Sequence, residues 1–201
     1  MGSTAVMDAR VRKTRRRLHD ALVALIHEKN YPSIVVGEIL KRADVGRSAF
    51  YTHFHNKDEL LASSIEQMLQ STPAQESASV AGGFGKALSF SFPVFSYIGQ
   101  CRRTSKLRMS RTGRAVVHQH LRQVLTERIS GDVEAARRSS MKPANVPTEV
   151  LTEFIAGTFI LVLNWWVESE SSLTPQEADG LFRRLVGPTL AAAHRDAAAF
   201  E

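Results

Sequence analysis

Apolar residues recur every three or four positions from Leu18 onward, which is the spacing of one face of an α-helix. The stripe consists of Leu18, Ala21, Leu22, Leu25 and Ile26. Asn30 and Pro32 are predicted to end this first helix, because Asn tolerates the left-handed conformation of a helix end and Pro cannot continue a helix. The basic segment RVRKTRRR precedes the stripe. Cations at a helix start oppose the helix dipole, so either a phosphate-rich partner or the solvation of an exposed arm accounts for them.

Further short helices are predicted directly after the first. One spans Val36 to Ala43, and a tight turn at Asp44-Val45-Gly46 separates it from another over Arg47 to Phe54. Asn56 is then placed to cap a fourth helix, with Glu59 completing a capping box. Short helices joined by a three-residue turn form a helix-turn-helix, in which one helix fits the major groove of DNA.

The remainder of the chain is predicted to be a second, helical domain. Residues 71–89 are rich in Ser, Ala and Gly and lack a sustained period, so we expect one domain over residues 1–70 and another over 71–201. Helical periods follow, ending in two long helices from 148 to 168 and from 175 to about 199. The first of these is apolar on nearly all sides, but its run is too short for a membrane span, so we expect it to be buried. The expected fold is all-α.

The last two helices are expected to pair with a second copy of the chain. The interface candidates are Phe154, Thr158, Val162, Phe182, Leu185 and Thr189. A symmetric pair of this kind would match the two-fold symmetry of palindromic DNA.

Charge is distributed unevenly along the sequence. The chain has 201 residues and a formal net charge of +6, and residues 1–57 contribute +6, residues 101–142 contribute +8 and residues 143–201 contribute −5. A basic N-terminal end favours a polyanionic partner. The single cysteine, Cys101, excludes an internal disulfide and fits a reducing, cytoplasmic compartment.

Catalysis and metal binding are not expected. His53 and His55 are two positions apart, as are His118 and His120. Side chains at this spacing on a helix point about 200° from one another and cannot share an ion. No motif links a nucleophile to a base, so the sequence predicts neither an enzyme nor a bound cofactor or metal.

The stretch VGRSAFYTHFHNKDEL is predicted to have two faces. Phe50 and Phe54 point inward, whereas Arg47, Tyr51 and Thr52 point outward. With its neighbours, the segment from residue 14 to residue 61 resembles the N-terminal DNA-binding domain of the tetracycline-repressor (TetR) family of bacterial transcriptional regulators. The matching landmarks are Glu-Lys-x-Tyr at the end of the first helix, Glu38-Ile39, Ala43-x-Val45, Phe50-Tyr51-x-His53-Phe54 and Lys57-x-Glu59-Leu60.

The resemblance implies a homodimer that binds a palindromic operator and releases it when a small molecule enters the C-terminal domain. Carried over by position, the residues that would face bases or nearby phosphates are Arg47, Ser48, Ala49 and Thr52. The residues that would hold the DNA backbone are Tyr51, His53 and Lys57. A protein that coats DNA without responding to an effector is the alternative.

The sequence departs from the family pattern at several positions. Asn30 and Asp44 stand where the family usually has Gly, and both residue types tolerate positive φ. Val35-Val36 stands where a Thr or Ser is common, so one helix cap and one phosphate contact are expected to be absent. Gly46 and Ala49 replace the usual Ser and Thr of the reading helix, so the operator sequence is expected to differ.

The effector is expected to bind among aromatic residues of the second domain, because pockets between bundle helices are lined by such side chains. The candidates are Phe95, Tyr97, Cys101, Met109, His118, Trp165 and Trp166. The basic segment 101–114 leaves three interpretations open. It can recognise an anionic effector through Arg102, Arg103 or Arg108, contribute to the approach to DNA, or form a polar connection between helices.

Overall fold

The regular secondary structure of the protein, seen in a computed structural model, is helical in every described segment. The structure describes residues 2–71, 85–103, 111–138, 146–169 and 171–195. Within them lie eight α-helices: α1 (Gly2–Glu28), α2 (Val36–Ala43), α3 (Arg47–Tyr51), α4 (Lys57–Ser71), α5 (Ser91–Arg103), α6 (Arg111–Arg138), α7 (Thr148–Glu168) and α8 (Pro175–Arg195). Two 3-10 turns, Tyr31–Ser33 and Lys86–Leu88, precede α2 and α5. The all-α prediction is confirmed.

The chain forms two compact units. The first comprises residues 1–67 and 105–121, and the second comprises residues 68–104 and 122–201. Helix α6 passes from the first unit to the second after Leu121, so it contributes residues to both. The sequence pattern suggested one division near residue 70 and gave no sign that the chain returns to the first unit.

The first unit packs α1 against α2 through the predicted apolar stripe. Leu18 and Leu22 of α1 are fully buried, as are Ile39 of α2 and Phe50 of α3. Burying an apolar side chain of this size contributes about 1.5–3 kcal/mol relative to leaving it in water. This core holds α3 with one face inward.

Two helix ends differ from each other in backbone conformation. Asp44 adopts φ 51° at the end of α2, so this turn does require a residue that tolerates the left-handed region. Asn30 is extended, with φ −60° and ψ 130°, so the prediction of a left-handed Asn30 is wrong. Its carbonyl accepts the Ser33 amide at 3.0 Å, because Asn30 begins the 3-10 turn instead of closing α1.

Aromatic side chains form the centre of the second unit. Phe159 of α7 packs edge-on against Phe90, Phe95 and Phe182, with ring centroids 4.9, 5.2 and 5.3 Å apart. Phe95 also contacts Trp166, at 5.5 Å. Among the described helices, α7 alone has the length and hydropathy of a membrane span. Eight of its residues are nevertheless buried within this unit, as expected for a core helix.

The residues predicted for a dimer interface separate into two groups. Phe154, Thr158, Leu185 and Thr189 are exposed or half-buried. Val162 is 2 % exposed and Phe182 is 0 % exposed. The prediction is wrong for these two side chains, because the core of their own unit already covers them.

Candidate nucleic-acid interface

Helix α3 is anchored by buried aromatic rings and presents its opposite side to solvent. Phe50 and Phe54 are 0 % and 2 % exposed, and their ring centroids lie 5.9 Å apart. Tyr51 is 52 % exposed. Arg47, Ser48 and Thr52 are also exposed, and Ala49 and His53 are half-buried beside them. Six of the seven predicted DNA contacts therefore lie on or beside one exposed face of α3 and the turn that follows it.

The residue before α3 is a glycine for which the fold has no requirement. Gly46 adopts φ −69°, which any residue can adopt, and offers no side-chain cap to α3. A Cβ at this position would meet no atom within 4 Å. The replacement of the usual Ser by Gly46 is thus not demanded by backbone conformation or by packing.

The predicted capping box at the start of α4 forms with a different partner. Asn56 Oδ1 accepts the Glu59 amide at 2.8 Å, as expected for a cap. The Glu59 carboxylate accepts the backbone amide of His55 at 2.6 Å and contacts His55 Nδ1 at 2.8 Å. The bond from the His55 amide, followed by that from its ring, lowers the pKa of Glu59. Glu59 is therefore kept ionised in the first turn of α4, where negative charge suits the helix dipole.

Lys57, the seventh predicted DNA contact, is engaged with its own chain. Its Nζ donates to the carbonyl oxygens of Tyr31, Pro32 and Ile34 at 2.9, 3.1 and 2.8 Å. The same nitrogen lies 4.7 Å from the centre of the Tyr31 ring. An ammonium group has three N–H donors. The three carbonyls therefore match its full capacity for hydrogen bonds.

Tyr31 connects this lysine to two further side chains. Its hydroxyl donates to Asp58 Oδ1 at 2.5 Å. Burial, and then the bond to Asp58, raises the pKa of Tyr31, so its hydroxyl stays protonated and can donate. His120 of α6 lies edge-on to the Tyr31 ring at 6.3 Å, with its Nε2 3.7 Å from Asp58 Oδ1. The sequence marked Tyr31 only as a landmark, because its partners are distant along the chain.

The basic segment at the start of the chain is part of α1, and two of its arginines have partners in the first unit. Arg17 Nη2 donates to Asp44 Oδ2 at 2.7 Å, beside the turn that precedes α3. Arg15 donates to Ser63 Oγ at 3.0 Å. Arg10, Lys13 and Arg16 are exposed. Positive charge thus extends along the helix whose Arg17 reaches the turn in front of α3.

Several effector candidates belong to the core of the second unit. Phe95 and Trp166 lie in its aromatic centre, and Trp166 Nε1 donates to the Leu173 carbonyl at 2.9 Å. Cys101 is buried on α5, and Tyr97 of the same helix is half-buried. The polar atom of Trp166 is therefore already used by its own chain.

The other effector candidates lie in different surroundings. Trp165 is 44 % exposed on α7, pointing away from the core that holds its neighbour Trp166. His118 belongs to the part of α6 that packs with the first unit. Met109 lies outside the described residues. The seven candidates are therefore not one set of pocket-lining side chains.

Arg102, one of the candidate arginines for recognition of an anionic effector, contacts its own chain. The Arg102 guanidinium lies 4.6 Å from the centre of the Trp166 ring and donates to the Ser171 carbonyl at 3.0 Å. These contacts tie α5 to the connection between α7 and α8. The side chains of Arg103 and Arg108 lie outside the described residues.

A helix-turn-helix with an outward reading helix, joined to a helical bundle, defines a class of DNA-binding regulators. Comparison with known families identifies the family within this class. The model described as "Bacterial regulatory proteins, tetR family" matches residues 18–63, and the model described as "Transcriptional regulator C-terminal region" matches residues 88–187. The chain belongs to the tetR family of bacterial transcriptional regulators, which confirms the resemblance seen in the sequence.

Solved structures share the fold over nearly the whole chain. A TetR transcriptional regulator from Streptococcus agalactiae 2603V matches with a TM-score of 0.56 and 20% identity, covering 92% of this chain and 99% of that one. A putative TetR-family regulator from Syntrophomonas wolfei str. Goettingen matches with a TM-score of 0.56 and 18% identity, covering 94% and 99%.

A curated relative is similar over a shorter segment. The uncharacterized HTH-type transcriptional regulator YxbF of Bacillus subtilis (strain 168) is 36% identical over 62 residues, which is 30% of this chain. The matched segment spans 16% of the length of the Bacillus protein.

Proposed function

We propose that this protein is a cytoplasmic transcriptional repressor that binds a palindromic operator as a homodimer and releases it when a small molecule binds. The observation that carries this proposal is the geometry of α3. Buried Phe50 and Phe54 fix the helix, while Arg47, Tyr51 and Thr52 face outward. Membership of the tetR family supports the same function.

The exposed side chains of α3 suit two kinds of DNA contact. Arg47, at the first position of α3, carries a fork of donors that fits a guanine edge or a phosphate. Ser48 offers a hydroxyl, and the Thr52 hydroxyl, which donates to the Ser48 carbonyl at 2.9 Å, can accept a hydrogen bond. The methyl group of Ala49 fits a thymine methyl. Tyr51 and His53 are suited to phosphate contacts, as good donors that position the protein without reading sequence.

Release by an effector would follow from linkage between two binding equilibria. A small molecule that prefers the arrangement unsuited to the operator shifts the population away from DNA binding, and DNA weakens its binding by the same factor. Helices α4 and α6 each contribute residues to both units, so they are continuous elements through which the two binding equilibria can be coupled.

A selection from random duplex DNA at physiological salt tests the proposal. We expect the selection to yield a palindromic sequence that the protein binds at least about 10³-fold more tightly than unselected DNA. Arg47→Ala should weaken binding to this selected sequence by about 1–3 kcal/mol, measured by fluorescence anisotropy. Arg128→Ala removes an exposed arginine of α6 in the second unit and should leave the affinity near that of the wild type.

An effector-independent protein that coats DNA gives a different result. It would yield no preferred sequence, and the selected pool would bind no better than the starting pool. That outcome would contradict the proposed repressor and favour a protein that coats DNA without sequence preference.

A further inference from the structure

The ammonium of Lys57 and the segment Tyr31–Ile34 form a closed arrangement, which we name the Lys57 clamp. Three carbonyl oxygens of this segment accept hydrogen bonds from one nitrogen, at 2.8 to 3.1 Å. The face of the Tyr31 ring covers the same nitrogen at 4.7 Å. Charge-assisted hydrogen bonds are roughly twice as strong as neutral ones, and a cation over an aromatic face adds to them.

The clamp holds the segment that determines where α2 begins. Ile34 is 1 % exposed, and Val35 directly after it is the residue that precedes α2. Helix α2 in turn ends at the turn that starts α3. A shift of residues 31–34 would therefore move the first helix of the helix-turn-helix.

The residue next to Lys57 holds Tyr31 at a second point. Asp58 accepts the Tyr31 hydroxyl at 2.5 Å, while Lys57 lies over the ring. Tyr31 is 2 % exposed, so its ring has little freedom to move. Two adjacent residues in the first turn of α4 thus bind the segment before α2.

We propose that Lys57 is a positioning residue of the DNA-binding site and not a phosphate contact. The proposal rests on the DNA-binding function proposed above. A phosphate would have to draw the ammonium away from three carbonyl oxygens, and all three would lose a charge-assisted hydrogen bond, although the Tyr31 carbonyl would keep its bond from the Ile34 amide. In the clamp, Lys57 raises operator affinity by keeping the helix-turn-helix in its binding-competent form, because affinity scales with the population of that form.

Two substitutions distinguish positioning from phosphate contact. Lys57→Met keeps most of the length of the side chain but removes its charge and donors. Lys57→Arg keeps the charge and suits a phosphate, but its planar fork cannot direct donors from one nitrogen to three carbonyls. Each variant is measured with a labelled duplex of the selected palindrome, from the logarithm of affinity against the logarithm of salt concentration.

We expect both variants to bind roughly tenfold more weakly than the wild type, with an unchanged salt slope. A lost phosphate contact would instead reduce the slope of Lys57→Met by about 0.9 for each Lys57, or about 1.8 for a dimer on its palindrome, and leave the affinity of Lys57→Arg intact. Either of these results, or an unchanged affinity of Lys57→Met, would overturn the proposal. Lys41→Met, which removes an exposed lysine of α2, controls for the loss of one positive charge.

Hydrogen exchange separates failure of the clamp from failure of the proposed function. In the full chain without DNA, Lys57→Met should speed exchange at the amides of residues 33–38 several-fold, while Lys41→Met should not. Unchanged exchange in Lys57→Met would exclude the clamp. If the wild type binds no duplex at all, the DNA-binding function fails, and exchange still decides whether Lys57 holds the segment.

Discussion

Val35 stands at the residue before α2, where a side-chain oxygen usually satisfies a free amide of the helix start. It is extended, with φ −105° and ψ 151°, and makes no side-chain cap. The Glu38 carboxylate nevertheless accepts the Val35 amide at 3.1 Å. One half of a capping box is therefore present, and the half that needs a hydroxyl is missing.

Val35→Thr should stabilise the protein by about 1 kcal/mol, because the new hydroxyl can accept the Glu38 amide. Val35 is 58 % exposed, so the substitution sacrifices little packing. The free energy of unfolding in urea measures the gain. Val36→Thr makes the same exchange one position later, where the side chain cannot cap, and should give no gain. Equal stabilisation by both variants would contradict the missing cap.

Single residues differ in how far the sequence around them predicts their backbone conformation and their hydrogen-bond partners. Asp44 was expected to tolerate the left-handed region because it stands where the resembled family usually has Gly, and it adopts φ 51°. Asn30 belongs to the same class of residue but is extended, because the 3-10 turn begins there. The carbonyl partners of Lys57 lie 23 to 26 positions earlier in the chain, so no local spacing could reveal them.

At the scale of elements, Gly99 allows α5 to approach the start of α8. A Cβ at this position would lie 2.6 Å from Pro175 Cγ and 3.4 Å from Trp166 Cη2. A proline ring cannot swing aside as a long flexible side chain can. Any larger residue must therefore push α5 away from its neighbours.

Gly99→Ala should lower the free energy of unfolding by about 1 kcal/mol or more, because overpacking outweighs the gain in helix propensity. Gly131→Ala on α6 is the matched control, since a Cβ there meets no atom within 4 Å. It should raise the same free energy by about 0.5–1 kcal/mol. Chemical denaturation of the two variants should thus give changes of opposite sign, and changes of equal sign would show that the contact at Gly99 is not tight.

Helix starts were predicted better than one of the helix ends. Helix α8 begins with a capping box of sequence-local residues, in which the Thr174 amide donates to Glu177 Oε2 at 2.7 Å and the Glu177 amide donates to Thr174 Oγ1 at 3.3 Å. Helix α3 was expected to reach Phe54 but ends at Tyr51. The amides of His53 and Phe54 both bond the Phe50 carbonyl, at 2.8 and 2.9 Å, which tightens the last turn. Caps depend on residues close in sequence, whereas this ending depends on competition for one carbonyl.

At the scale of the whole molecule, the outer side of α7 carries an apolar stripe. Val150, Phe154, Leu161 and Trp165 follow helical spacing and are between 37% and 63% exposed. Leu185 of α8 is 47 % exposed. Contiguous exposed apolar surface is typical of a protein interface. We therefore expect two copies of the chain to associate through α7 and α8.

Leu161→Glu should weaken the dimer about a hundredfold, because an unpaired charge in an interface costs about 3 kcal/mol or more. Sedimentation velocity over a range of concentrations measures this change. Val35→Glu places the same charge on an exposed valine of the first unit and should leave the association unchanged. A Leu161→Glu protein that remains as dimeric as the wild type would exclude the stripe as the interface.

The sequence could not show which side of an apolar helix its own chain covers. Helix α7 is apolar nearly all round, so Val162 could be assigned to a partner although it is buried in the core. The same limit applies to aromatic side chains, since Phe95 and Trp166 have the composition of a pocket but pack together. The helix-turn-helix was easier to predict, because short amphipathic helices show two distinct faces.

The first unit is assembled from two separate lengths of chain, which bears on how such proteins can be recombined. The part of α6 that ends at Leu121 packs with the N-terminal residues and brings His120 to Asp58 and Tyr31. A graft that exchanged only residues 1–70 between two relatives would pair one protein's Tyr31 and Asp58 with the other's α6. The transplantable module is therefore discontinuous, and hybrid regulators built on this fold should carry the part of α6 that ends at Leu121 together with the helix-turn-helix.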